Sequence, residues 1–251
     1  MPTKPSLADF LLRRLNSIYA LDEDDIAAVD RLPIQIADLR ADEDLIREGD
    51  RPTRSCFIVS GMTCWFKITG KGQRQILSFH VTGDLPDLQS IHLSKMDSTL
   101  SAVSPSRIAF VPHQALHAIC EERPKVASAL WRMTLIDAAV FREWVANVGG
   151  RQAYARMAHL LCEMTMRLGA VGLAENHVCY LPITQGELAD ATGMSTVHVN
   201  RTLQTLRRNG LVDWRDSKLT VLDWPGLQKA GDFDPGYLHL RIPPDFKPWP
   251  T

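Results

Sequence analysis

An excess of charge of either sign is missing from this chain of 251 residues: 28 lysines and arginines stand against 29 aspartates and glutamates, a formal net charge of -1. That balance excludes a general attraction to nucleic acid or to an anionic membrane, so any contact with a polyanion must come from local placement. No apolar run approaches the roughly 20 residues that a membrane-spanning helix needs. The first ten residues also lack the basic and then apolar pattern of a secretory signal, and a cytoplasmic location is the expectation. Cysteine is sparse. Cys56, Cys64, Cys120, Cys162 and Cys179 are scattered, with no C-x-x-C pair and no histidine at zinc-ligand spacing. A disulfide framework and a zinc finger are thereby excluded, and reduced structural thiols are expected. A glycine-rich phosphate loop, a Ser-His-Asp order and paired catalytic carboxylates are absent too, and His159 and His177 have no evident partners. The chain is not read as an enzyme.

What is present changes character along the chain. Leu7, Leu11, Leu15 and Ile18 recur at helical spacing, and the acidic run from Asp22 to Asp25 suits the start of a second short helix. Residues 34–112 then alternate short apolar segments, such as Cys56-Phe57-Ile58-Val59 and Trp65-Phe66-Lys67-Ile68, with turn formers at Gly49-Asp50, Ser60-Gly61, Gly70-Lys71-Gly72 and Gly83-Asp84. Many short strands with regular turns imply a sandwich, barrel or roll. Cys56 and Cys64 flank the Ser60-Gly61 turn, where a hairpin would bring them face to face.

Pro124 suits the first position of a helix, and no breaker follows until Gly149-Gly150. Val126, Leu130, Met133, Val140 and Trp144 form one stripe at steps of four and three, with Asp137 filling its gap; the spacing is that of a two-stranded dimer seam. A second stripe, Ala127, Trp131, Leu135, Ala138 and Val145, would cover the β domain. The same pattern also fits a helix buried within one subunit. If the seam is a dimer interface, Asp137 meets its symmetry mate and must be protonated, paired or bound to an effector together with Thr134. Another helix is expected over 152–168. From Asp232 onward Pro235, Pro243, Pro244, Pro248 and Pro250 exclude long regular structure.

Between these lies the segment that carries the chemistry. Thr184-Gln185-Gly186-Glu187 has the form of a capping box and starts a short helix. Ala189 is small where helices would cross, Gly193 permits a left-handed turn, Ser195 caps a second helix, and Gly210 ends it after Arg207-Arg208. At 100° per residue, Val199, Leu203 and Leu206, with Thr202 beside them, share one side of that helix. Val197, Asn200, Arg201 and Gln204 share the other. Arginine can fork onto guanine, asparagine or glutamine onto adenine, and valine can touch a thymine methyl, so this face suits a DNA major groove. Thr196 and His198 flank it. Segments around Val212-Asp213-Trp214 and Leu219-Thr220-Val221 read as a wing whose Arg215 and Lys218 would meet phosphates, and Thr184 and Ser195 join the candidate contacts.

The order of β domain, long helix and winged helix-turn-helix resembles the Crp/Fnr superfamily of bacterial regulators, in a branch common in alphaproteobacteria. The likeness is carried by Glu48-Gly49-Asp50, Ile58-Val59-Ser60-Gly61, Gly83-Asp84, Arg151-Gln152-Ala153 and Arg156-Met157-Ala158. Leu181-Pro182-Ile183-Thr184-Gln185-Gly186-Glu187-Leu188-Ala189 and Val197-His198-Val199-Asn200-Arg201-Thr202-Leu203 add to it. The resemblance implies an α+β chain: a β-roll sensor with N-terminal helices (1–123), a dimerisation helix and hinge (124–150), a winged helix-turn-helix (151–231) and a proline-rich tail (232–251). It further implies a homodimer on pseudo-palindromic double-stranded DNA, RNA polymerase as a partner, and a small-molecule effector. Arg201 stands at the family's guanine-reading position, and Val197 where many members carry glutamate. The rival reading is an effector-binding module that acts through protein contacts, with its helix-turn-helix as a scaffold.

The effector is not legible. Cyclic-nucleotide sensors of the family use Gly-Glu and a later Arg-Ser; here the counterparts are Gly83-Asp84 and the run containing Asp97-Ser98, with no arginine between Arg74 and Arg107. Asp84, Asp87 and Asp97 would repel a cyclic phosphate unless Lys95 compensated, so cyclic AMP is disfavoured. The effector pocket implied by the family comprises Gly83, Asp84, Asp97, Ser98, Thr134 and Asp137. Iron-sulfur sensing lacks its amino-terminal cysteines. Pro2 and His80 are of the types that ligate haem in one family sensor, and His92 and His113 lie in the same domain. Lone histidines on a β-roll are more commonly hydrogen-bonded structural residues, and no cofactor is assigned.

Overall fold

The computed structural model describes residues 9–241. They form two compact units: residues up to Trp65 together with Phe79–Ala138, and Phe66–Ser78 together with the chain from Ala139 onward. One unbroken helix, Pro124–Gly150, contributes residues to both units.

The first unit opens with α1 (Asp9–Asn16) and α2 (Glu23–Asp30); Asp22 caps α2 in a reciprocal box with Asp25. Leu7 lies outside the described residues. Seven strands follow, β1 (Gln35–Leu39), β2 (Asp44–Ile46), β3 (Arg54–Ser60), β4 (Met62–Ile68), β5 (Arg74–Val81), β6 (Thr99–Ala102) and β7 (Ser106–Pro112), of which the part of β4 from Phe66 and the part of β5 up to Ser78 belong to the second unit. They make two sheets, of order β1-β7-β3 and β2-β6-β4-β5. β3 is buried at five successive positions, which is why it reads as a continuous apolar run and not an alternating one. Phe57, Ile58, Phe79, Leu100 and Ile108 are fully enclosed. The β3–β4 turn requires glycine: Gly61 has φ +94°, and a Cβ there would sit 2.7 Å from the carbonyl oxygen of Pro105. Cys56 and Cys64 are buried, and all five cysteines are free.

α3 (His113–Glu122) leads into α4 (Pro124–Gly150), whose start at proline and end at the double glycine match the sequence pattern. Its two stripes are exchanged relative to expectation. Val126, Leu130, Met133, Val140 and Trp144, read as the dimer seam, are buried within the chain itself. Trp131, Leu135 and Val145, assigned to cover the β domain, are 68%, 56% and 75% exposed. Both stripes are apolar and spaced alike, so periodicity alone could not say which one turns inward. Asp137 consequently lies half-buried beside the inward stripe.

The second unit contains α5 (Ala153–Ala170), β8 (Ala174–Glu175), β9 (Val178–Tyr180), α6 (Gln185–Thr192), α7 (Thr196–Arg208), β10 (Val212–Arg215), β11 (Lys218–Val221), α8 (Trp224–Gly231) and a 3-10 turn at Pro235–Leu238. β8 and β9 fall where the sequence reads as irregular. With two and three residues they are too short for a period to register, yet they complete a sheet of order β10-β11-β9-β8. Gln75 donates to the carbonyl of Asp190 at 2.8 Å, which attaches the end of the β4–β5 hairpin to α6. A buried polar cluster joins α4, α5 and the 3-10 turn: the Glu163 carboxylate accepts from Trp144 Nε1 (3.1 Å), Arg167 (3.1 Å) and the Tyr237 hydroxyl (2.7 Å). Three donors compensate the burial of that charge. Burial and the nearby Arg151 hold His159, stacked on Tyr237, below the usual histidine range. Pro235 lies in the short turn; Pro243, Pro244, Pro248 and Pro250 lie outside the described residues. Among the described residues no helix is long and apolar enough to cross a membrane.

Candidate DNA-binding interface

The interface is built on α6 and α7. Thr184 caps α6: its hydroxyl accepts from the Glu187 amide (3.2 Å) and donates to the Glu187 carboxylate (2.8 Å), which also accepts from the Thr184 amide at 2.7 Å. Gly193, at φ +64°, turns the chain through the left-handed region that a β-carbon disfavours. Ser195 then caps α7 by accepting from the His198 amide (3.3 Å), and Gly210 follows its last turn at φ +70°. Arg156 stiffens the joint, donating to the carbonyls of Asn147 (3.1 Å), Arg151 (2.8 Å) and Thr192. These acceptors end α4, begin α5 and end α6, so one planar guanidinium ties the hinge to the helix-turn-helix.

α7 divides into two faces. Val199, Thr202, Leu203 and Leu206 are buried against the unit, while Val197 is 60% exposed and Thr196, His198, Arg201 and Gln204 are exposed with it. A depression of about 430 Å³ brings together Thr196, Val197, Asn200, Arg201 and Gln204, and adds Gln185 from α6. Gln185 was not among the sequence candidates. It stands in the capping box, which reads as a helix start and hides any second role; Asn200 donates to its Oε1 at 3.3 Å. A second depression, on the α5 side of α7, is lined by Ser195, Val197, His198, Arg201 and Thr205 together with Gln152 and Tyr154. On the wing, the hairpin turn Asp216-Ser217 has two positive φ values, the form that matches strand twist. Arg215 and Lys218 are exposed and directly opposite each other, Arg215 pairing with Asp213 at 3.1 Å.

The residues expected to line an effector pocket make the following contacts. Asp84 is buried and paired with Arg14 of α1 at 2.9 Å, and also accepts from the Val81 amide at 2.9 Å. Asp97 is exposed and accepts from Ser98 at 3.1 Å; Thr134 donates to the Trp131 carbonyl at 2.7 Å. Gly83 sits in the turn at φ +94°. The repulsive cluster of three aspartates read from the sequence is therefore corrected. Arg14, 70 residues away in sequence, neutralises Asp84, and burial pushes the carboxyl of Asp87 up to about 7. His80 is buried beside Asp84, and Pro2 lies outside the described residues.

Asp87 yields a pH prediction. Its Oδ1 accepts from the Cys56 amide at 2.8 Å, and its Oδ2 is buried with no hydrogen-bond partner. An unfolded aspartate ionises near 4, whereas the folded one keeps its proton to about 7. The folded state thus binds more protons, and this group's contribution to stability falls as pH rises through that window and is flat above it. Asp87→Asn is expected to raise the melting temperature by about a few degrees at pH 8 and to change it little at pH 4, read by thermal denaturation at both pH values. An equal effect at both pH values would contradict the assignment.

A β domain joined by a long helix to a capped, winged helix-turn-helix is the architecture of a DNA-binding regulator. Residues 37–123 match the cyclic nucleotide-binding domain family, and residues 155–230 the Crp-like helix-turn-helix domain family. The chain is similar to electron transport regulator A of Shewanella oneidensis (22% identity, covering 82% of each chain). It is also similar to the nitrogen fixation regulation protein FixK of Azorhizobium caulinodans (26%, covering 66% of each). Its fold matches FixK2 from Bradyrhizobium japonicum with a TM-score of 0.72 at 23% identity, over 79% of this chain and 98% of that one. The chain belongs to the Crp/Fnr family of DNA-binding transcription regulators, whose members act as dimers.

Proposed function

We propose that two copies of the chain, joined along the exposed stripe of α4, read a near-palindromic DNA site in the cytoplasm, each laying α7 in a major groove. The observation that carries this reading is the division of α7: an apolar side held in the core, and Val197, Asn200, Arg201 and Gln204 turned outward together. Arg201 is assigned to guanine O6 and N7, Asn200 and Gln204 to adenine, and Val197 to a thymine methyl. Relatives with glutamate at the position of Val197 can accept from cytosine N4; valine cannot, so the half-site differs there. Ser195, Thr196 and His198 flank the groove, and Arg215 and Lys218 approach phosphates. Thr184 supports the interface through its cap.

Trp131, Ala138 and Val145 recur every seven residues along α4, with Thr134, Phe141 and Val148 between them, the a and d spacing of a two-stranded seam. Joined there, two copies of α7 meet half-sites about one helical turn apart. RNA polymerase is the partner such a regulator addresses once bound. Selection from random duplex DNA with the purified protein is expected to enrich an inverted repeat of that spacing. Binding without enrichment would favour the protein-contact module instead.

A further inference from the structure

Gln185 and Asn200 come from different helices, 15 residues apart, and meet in the lining of the depression that they share with Thr196, Val197, Arg201 and Gln204. Asn200 Nδ2 donates to Gln185 Oε1 at 3.3 Å. An asparagine amide turns freely about a broad χ2 well, and turning it over exchanges its donor and acceptor. A bond to one amide hydrogen removes that freedom. The second hydrogen and Oδ1 stay unused by it, and together they form the donor and acceptor pair that adenine matches through N7 and N6.

We propose that Gln185 is a specificity-determining positioning residue: from the first turn of α6 it holds the Asn200 amide in the orientation that reads adenine. The inference rests on the reading of α7 as the groove helix. It makes the capping-box helix part of the sequence code, where α6 otherwise only supports α7. Gln185 lies outside the core, so replacing it leaves folding intact, which thermal melting checks.

The test compares wild type, Gln185→Met, Gln185→Glu and Asn200→Ala, by selection from random duplexes and then by competition on four oligonucleotides differing at the base pair under Asn200. Gln185→Met keeps length and removes the acceptor. It is expected to flatten the preference at that one base pair by about 3- to 10-fold, leaving other positions unchanged. Gln185→Glu retains an acceptor; it should keep the preference while lowering affinity for every site, through repulsion from phosphates. In the Asn200→Ala background, Gln185→Met should have no further effect on preference. If Gln185→Met weakens all four oligonucleotides equally, or leaves the selected profile intact, Gln185 is a backbone contact or a bystander and the inference falls while the reading of α7 stands. If wild type selects no sequence at all, the reading of α7 falls first and takes the inference with it.

Discussion

Arg201→Ala is expected to abolish preference for the selected palindrome while leaving most nonspecific DNA binding. A bidentate arginine on guanine discriminates by about 1–3 kcal/mol, and a homodimer makes the contact twice. The specific complex should therefore weaken by roughly 30- to 20,000-fold. On nonspecific DNA the variant loses a single positive charge per protomer, a small effect that shrinks further as salt is raised. Titrating both DNAs at fixed salt checks this as a ratio of affinities. Equal loss on both would mean that Arg201 contacts phosphate and does not read a base. Its exposure on α7, opposite Val199, Leu203 and Leu206, keeps the substitution out of the core, so lost binding cannot be ascribed to unfolding.

Trp131→Glu is expected to convert the dimer to monomers. Trp131, Leu135, Phe141 and Val145 are exposed on one helix, and fully burying side chains of this kind contributes about 1.5–3 kcal/mol each. The substitution removes the largest of them and opposes two carboxylates across the symmetry axis. Sedimentation equilibrium should report monomer. Affinity for the palindrome should drop by about 100-fold or more, because the second half-site is no longer held at high effective concentration. Met133→Ala supplies the contrast. Met133 is buried on the inward stripe, so it should cost about 2–5 kcal/mol of stability while the protein remains a dimer. If Trp131→Glu stays dimeric, the exposed stripe is not the interface.

These two substitutions differ in how far the sequence foresaw them. Both faces of α7 were legible because a helix repeats every 3.6 residues, whatever surrounds it. Its caps were legible for the same local reason: Thr184 with Glu187, and Ser195 with the His198 amide, lie within one turn of each other. On α4 the sequence offered two apolar stripes of equal quality, and only the packing of the chain against itself distinguished them. Gln185 escaped notice because its residue type explains itself as part of a helix start, and its neighbour Asn200 belongs to another helix.

What the sequence determined alone was set by contacts within a turn or two: the long helix from Pro124, the capped helices of the helix-turn-helix, the strand-rich first half, and the outward side chains of α7, whereas α3 and α8 carried no signal that was read. The tertiary structure decided what depends on distant residues meeting. It turned Val126, Leu130, Met133, Val140 and Trp144 inward and left Trp131, Leu135 and Val145 outside. It also paired Arg14 with Asp84, cancelling a charge that the local sequence had left standing. Burial and charge compensation are sums over neighbours in space, and a one-dimensional period carries only the neighbours along the chain.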